Sequence, residues 1–351
     1  MNEGVRLYAG TQAGLMIWRS GTNGWQEMGR HFEDGIIDSI FGCKTMPERV
    51  FVGVTHDGLY RTIDGGDSWA KVLDGDIRSV TVDPTDDKVI YSGVEPVALY
   101  RSEDGGNQWQ ELTGLQDVPE TARKNWWFPQ PPHRGHIRNI FIHPDNPSII
   151  YLCVEHGGIV RSFDRGTSWE DVSKGIAYLD IHVIANLPTR MDRYYVATAR
   201  GFFTSDKPEQ GWTRAENGLT RNYFHDFLFL PSLKSGETPT MILATADQSP
   251  GFWRRENRGA RAALFKSTDG AGSWIRITQG LADDLDSMIW ALVHHPTDHR
   301  ALFAGFGNVA RGHASGAGGA GDIMVSRDMG ESWERLEIDL PADRVLWAAA
   351  D

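Results

Sequence analysis

Cysteine is almost missing from this chain: Cys43 and Cys153 are the only two in 351 residues. So few thiols, far apart in sequence, exclude a disulfide framework; two free thiols in a reducing cytoplasm are expected. Signatures of covalent and nucleotide chemistry are missing too. There is no Gly-x-Ser-x-Gly, no Cys-x-x-Cys and no Gly-rich phosphate loop, and neither cysteine has an obvious histidine partner. No nucleotide or organic cofactor is therefore expected. No apolar run approaches the length of a membrane span, and Met1–Arg6 shows no basic head followed by an apolar stretch, so neither a membrane partner nor a secretory leader is expected. Basic clusters are absent as well. With 35 Lys and Arg against 47 Asp and Glu, the net charge of −12 argues against a nucleic-acid surface.

What is present is repetition. Five segments read Ser/Thr-x-Asp-x-Gly-x-x-Trp: Thr62–Trp69, Ser102–Trp109, Ser162–Trp169, Ser267–Trp274 and Ser326–Trp333. In Ser267–Trp274 the glycine position holds Ala271. Worn copies end at Trp25 and Trp212. Each clear copy lies between two short apolar runs, as Gly58–Arg61 and Trp69–Val72 lie about the first, which is strand, tight turn, strand. The Asp and the hydroxyl accept amides of their own turn, the Gly permits positive φ, and the Trp buries a large ring beside the next unit. These aspartates are read as turn stabilisers.

The phrase resembles the Asp-box, or BNR repeat, of sialidase-like and related β-propellers, and the seven copies cover nearly the whole chain. The resemblance implies an all-β, seven-bladed β-propeller of four-stranded antiparallel blades. It is strongest to the bacterial single-propeller BNR-repeat proteins. Sialidases of this superfamily have six blades, an arginine triad, a Tyr–Glu nucleophile pair and an Asp acid. This chain lacks their Phe/Tyr-Arg-Ile-Pro signature and any evident Tyr–Glu pair, so sialidase activity is not expected despite Arg78, Arg138 and Arg200. Xyloglucan hydrolases with such boxes place their site between two propellers, and one propeller would lack half of that cleft. Photosystem assembly factors share the blade count and box usage but are exported to a lumenal compartment.

The spacing supports one propeller domain over residues 1–351. Arg6–Gln26 supplies only three strands, and Arg344–Ala350 supplies the missing inner one, which closes the ring. Successive box tryptophans are unevenly spaced, from 40 residues between Trp69 and Trp109 to 62 between Trp212 and Trp274. The extra length falls in insertions at 115–135, 248–262 and 308–321, whose loop types emerge on one face and mark it as the pocket face. Trp126–His133 is stiff and aromatic, Phe252–Arg255 adds rings and positive charge, and 312–321 is Gly/Ala-rich and expected to move.

The repeat also works as a ruler. Six residues before the Pro that ends each inner strand stand Arg78, Arg138, His182, His225 and Trp290; Asp38 and Arg344 match them by pattern. The ends of the second strands give Gln12, Thr55 with His56, Glu95, Glu155 with His156, Arg200, Asp247, and Gly307 or Asn308. Both series point to one pore mouth. Charged groups gathered there need partners or a function.

Three chemistries fit. Glu95 and Glu155 could share acid and base roles. His182 and His225, with Glu155 or Asp247, could bind one divalent metal, or one histidine could act directly as the base. Arg78, Arg138 and Arg200 could clamp an anionic group, with Asp247 and His136 at the rim and Trp126, Trp127 and Trp290 as walls. The plainer alternative makes Glu95–Arg78 and Glu155–Arg138 ion pairs that knit strands. His143, His294 and His295 are read as structural. The expectation is a cytoplasmic hydrolase or lyase acting, in the central pocket, on a small polar, anionic molecule that is carboxylate- or sugar-like. The alternative is a non-catalytic scaffold that docks a protein.

Overall fold

The computed structural model describes residues 4–129, 131–231, 237–253, 259–307, 321–338 and 340, and the backbone of Val345–Ala350. Within them, strands form seven four-stranded antiparallel sheets arranged as the blades of a ring. Blades two to seven each take four successive strands, beginning with the inner strands Ile37–Cys43, Asp76–Asp83, Ile137–Ile142, Ile181–Leu187, Tyr223–Phe229 and Met288–His294. Blade one takes its inner strand from the far end of the chain. Val345–Ala350 pairs antiparallel with Arg6–Thr11, Leu7 opposite Ala350 and Ala9 opposite Ala348. This is the expected seven-bladed β-propeller, and the expected closing strand.

The strands exist because their apolar side chains find cover on both faces. Ile150–Val154, the second strand of blade four, is buried throughout. Tyr151 and Cys153 from that strand pack with Ile184, Val196 and Phe203 of blade five. Each such buried side chain contributes about 1.5–3 kcal/mol. Tryptophans bolt one blade to the next. Trp212 Nε1 donates to Val172 O at 2.7 Å and Trp274 Nε1 to Ala215 O at 2.8 Å, each reaching back to the preceding blade. Cys43 and Cys153 are buried and form no disulfide.

The repeated turn has one geometry. In blade four, Ser162 Oγ accepts the Gly166 N–H at 2.8 Å and donates to Asp164 Oδ1 at 2.8 Å. Asp164 Oδ1 also accepts the Ser168 N–H at 2.8 Å. The same set recurs at Thr62, Asp64 and Ser68 and at Ser326, Asp328 and Ser332. At Gly66, φ is +102° and a Cβ would sit 2.3 Å from Ile17 Cδ1, which is why glycine stands there.

Every inner strand carries a bulge at the same place. Pairing with the second strand skips one residue between Ile37 and Ser39, Ile77 and Ser79, Ile137 and Asn139, Ile181 and Val183, Phe224 and Asp226, and Ile289 and Ala291. The skipped residues are Asp38, Arg78, Arg138, His182, His225 and Trp290. A bulge frees its extra residue from the ladder and re-aims its side chain. In blade one, Thr11 pairs with Val345 and Gly10 with Trp347, so the skipped residue is Leu346, not Arg344. Arg344 itself lies outside the described residues.

Candidate functional site

The bulges build a cup. A cavity of about 510 Å³ opens on the axis at the mouth of the ring. Asp38, Arg78, Arg138, His225 and Trp290 line it from the inner strands, and Gln12, Glu95 and Glu155 from the ends of the second strands. Phe128, Pro129, Pro131 and Pro132 from the first insertion and Ser249–Gly251 from the second complete the wall. Two insertions thus reach the expected face. The third, apart from Gly321, lies outside the described residues, as do Arg254 and Arg255.

Charges in the cup are interlocked. Arg78 donates to Asp38 Oδ2 at 2.6 Å and to Asp76 Oδ2 at 3.2 Å, and also binds Glu95. Arg138 donates to Glu155 Oε2 at 2.8 Å. His136 stands between the two glutamates, with Nε2 2.7 Å from Glu155 Oε2 and Nδ1 3.5 Å from Glu95 Oε2. Burial opposes the charge on Glu155, but Arg138 and His136 outweigh it and hold the carboxyl well below its usual range. Both ion pairs of the plainer alternative therefore form. Each guanidinium already has carboxylate partners, which weakens the pair as a clamp for an anionic ligand.

The histidine pair is arranged differently from the expectation. Arg138 Nη2 donates to His225 Nε2 at 3.1 Å, so His225 carries its proton on Nδ1. Burial, then Arg138 and His182, keep the His225 pKa well below normal. His182 is buried and does not line the cavity. Its Nδ1–H donates to Phe224 O at 2.6 Å. The rings pack 5.1 Å apart, but one nitrogen of each is already engaged. Glu155, His182 and His225 do not form a ligand set within reach of one ion. Among the described residues, the group that does is Glu155, His156 and Asp180, whose ligand atoms lie within 4.8 Å of one another.

Other assignments shift by register. Thr198, not Ala199, pairs with Ile181, and Thr245, not Ala246, pairs with Phe224. The positions equivalent to Glu95 and Glu155 are therefore Ala199 and Ala246. Arg200 and Asp247 are each one place too late and face a separate hollow between blades five and six. There Arg200 lies over the Tyr178 ring at 4.5 Å, and Asp247 meets Arg261 at 3.3 Å. Trp126 packs under the first insertion against the blade core. Trp127 is 51% exposed and stacks on His133 at 5.0 Å. Phe128 is the ring of that run that enters the cup, 5.3 Å from both His136 and His156. Trp290 is the expected wall and donates its indole N–H to Gly307 O at 2.9 Å. His143 and His295 cap turns, each accepting two backbone amides on Nδ1.

Asp180, Tyr178 and Tyr223 also line the cup, and sequence reasoning missed them. A third ruler, two residues before each bulge, reads Ile36, Asp76, His136, Asp180, Tyr223 and Met288. It would have found Asp180 and Tyr223. Burial and the nearby Asp180 push the Tyr223 phenol well above its usual pKa, so it is a neutral donor.

No protein-family model matches the chain. A stretch of 223 residues, 61% of the chain, is 24% identical to an oligoxyloglucan reducing-end-specific xyloglucanase of Emericella nidulans, and spans 25% of that enzyme. Among solved structures, the GH74 enzyme of Niastella koreensis superposes with a TM-score of 0.63 at 16% identity, over 93% of this chain and 46% of that one. The GH74 xyloglucanase of Xanthomonas campestris gives 0.62 at 16%, over 87% and 46%. YCF48 bound to a D1 peptide gives 0.57 at 19%, over 86% of both chains. The chain therefore spans less than half of the xyloglucan-degrading relatives it matches, and the structural likenesses speak for the propeller fold.

Proposed function

We propose that the axial cup is the reaction site of a hydrolase acting on a small, polar, sugar-like molecule. The observation that carries this is the wall formed by His156, Asp180 and Glu155. His156 Nε2 lies 3.3 Å from Asp180 Oδ2, a carboxylate-oriented imidazole of the kind that serves as a general base. Glu155 beside it is held ionised. Phe128, Tyr178, Tyr223 and Trp290 supply ring faces and two phenol hydroxyls, which suit a polyhydroxylated ligand. Because Arg78 and Arg138 are already paired with carboxylates, a sugar-like substrate fits better than a carboxylate. The sequence likeness to a xyloglucanase supports hydrolysis as the reaction class.

The test is release of new reducing ends from a panel of neutral oligosaccharides, xyloglucan fragments included. Turnover should fall at least 100-fold in His156→Ala, in keeping with removal of a general base, and be unchanged in Arg200→Ala. The YCF48 likeness, which covers both chains almost entirely, favours a second reading in which the same face takes a peptide. A wild-type protein that neither cleaves nor binds any sugar, yet captures peptides in a Trp127-dependent way, would move the assignment there.

A further inference from the structure

Two blades carry the same histidine–aspartate pair across the same seam, and only one of the pairs has a cation. In the first, His56 of blade two meets Asp76 at the start of blade three, Nδ1 to Oδ2 at 2.6 Å. In the second, His156 of blade four meets Asp180 just before blade five at 3.3 Å. Both histidines sit two residues beyond the second-strand ends at Val54 and Val154, with φ of 56° and 58°. Asp76 also receives Arg78, the bulge residue two places on. The equivalent bulge residue after Asp180 is His182. Its Nδ1–H is given to Phe224 O, and its Nε2 stands 3.4 Å from Asp180 Oδ1.

Asp180 is consequently a carboxylate short of positive charge. Its side chain is nine-tenths buried, and Oδ1 has no hydrogen-bond partner. A buried carboxylate in that position calls for a cation. Toward the cavity it faces His156 and Glu155. The hydrogen bonds described for Glu155 all fall on Oε2, from Arg138 and His136, and leave Oε1 for another partner.

We infer that Glu155, His156 and Asp180 form a site for one first-row divalent cation on the wall of the cup. Their ligand atoms lie within 4.8 Å of one another, against roughly 4 Å for two ligands on opposite sides of such an ion. Small side-chain rotations close the difference. One imidazole and two carboxylates are a mixed nitrogen and oxygen set that suits Zn²⁺ or Mn²⁺ better than Mg²⁺. Three protein ligands leave positions open toward the cavity. An ion held there would take up the His156 nitrogen that the base role needs, so the cup uses these side chains in one way or the other, and the site is a binding claim tested without a turnover assay.

Zn²⁺ and Mn²⁺ are the probes, added to EDTA-stripped full-length protein and followed by calorimetry and, for Mn²⁺, by electron paramagnetic resonance. One ion per chain is expected. His156→Ala and Asp180→Asn should each weaken binding at least tenfold, roughly the smallest loss expected for a ligand. His56→Ala, at the arginine-paired counterpart, should leave it unchanged. Circular dichroism of each stripped variant separates loss of a ligand from loss of fold, and His156→Ala, on a turn, carries the test if Asp180→Asn does not fold. No stoichiometric ion in wild type, or binding that survives both substitutions, overturns the site and leaves His182 and His156 as the partners of Asp180. Either result is read without a turnover assay.

Discussion

The outer turns and the inner bulges repeat with equal regularity, and they differ in what repeats. At the outer turns both backbone and side chains recur: a hydroxyl and an Asp in the same roles, making the same bonds, with a Trp closing each clear copy. At the inner bulges the backbone recurs and the side chains do not. Asp38, Arg78, Arg138, His182, His225 and Trp290 occupy one geometric position in six blades. Where a fold fixes the side chain along with the backbone, that side chain holds the fold. Where it fixes only the backbone, the position is free to be used: carboxylate, guanidinium, imidazole and indole groups stand there, and all but His182 line a common cup.

Removing a charge from the cup should produce the largest effect. Arg138→Ala would strand Glu155, mostly buried and left with the His136 imidazole as its close partner. Breaking one side of a buried pair costs about 3 kcal/mol or more, and urea denaturation at neutral pH measures it. A loss below about 1 kcal/mol would show that the inner ring is solvated like a surface and would erase the contrast with the turns.

Next in size is Asp226, directly after the bulge of blade six. Its Oδ2 accepts the Leu292 N–H of blade seven at 2.8 Å. Burial raises its pKa from 3.8 to about 6. The folded protein thus binds this proton more tightly than the unfolded chain does. That contribution is fully present below about pH 4 and is lost as pH rises through about 6, above which the fold holds a buried charge. Asp226→Asn keeps the acceptor and removes the charge. It should raise stability by on the order of 2 kcal/mol at pH 8 and by almost nothing at pH 4. Equal effects at both pH values would place the gain elsewhere.

These cases show what the sequence made legible. Thr62, Asp64 and Trp69 announce blade and turn because the same letters recur at a fixed offset. The bulge series was legible for the same reason, since one Pro anchors the count in most blades. Arg200 and Asp247 were misplaced because the second-strand series has no such anchor, and one residue of slip turns a side chain to the other face. Arg344 was misplaced because its strand belongs to a blade closed from the opposite end of the chain. Asp180 escaped notice because it precedes its strand, and its meaning depends on Arg78 having no counterpart at His182.

A smaller effect is expected at the turns. Ser162→Ala removes the acceptor of the Gly166 N–H, a buried bond, at a cost of about 1–2 kcal/mol, with no change in cation or sugar binding. Ligand binding that fell with stability would mean that turn and cup are coupled through the blade.

The smallest effect should come from the one copy that breaks the pattern. Ala271 stands where the other clear copies have glycine and adopts φ of +66°, with its N–H still bonded to Ser267 Oγ at 2.9 Å. A left-handed alanine costs about 1–2 kcal/mol. Against that, glycine would add unfolded-state freedom worth about 0.4–1 kcal/mol, and a buried methyl worth about 0.8 kcal/mol would be lost. Ala271→Gly should therefore leave stability within about 0.5 kcal/mol of wild type. The reverse change in blade four has no such balance: at Gly166, with φ of +90°, a Cβ would come 2.8 Å from Leu112 Cδ1. Gly166→Ala should cost at least about 1 kcal/mol by the same denaturation measurement. If the two substitutions instead moved stability equally and oppositely, the packing beneath Ala271 would be no better fitted to a methyl than that beneath Gly166, and the outer turns would be interchangeable in side chain as well as in backbone.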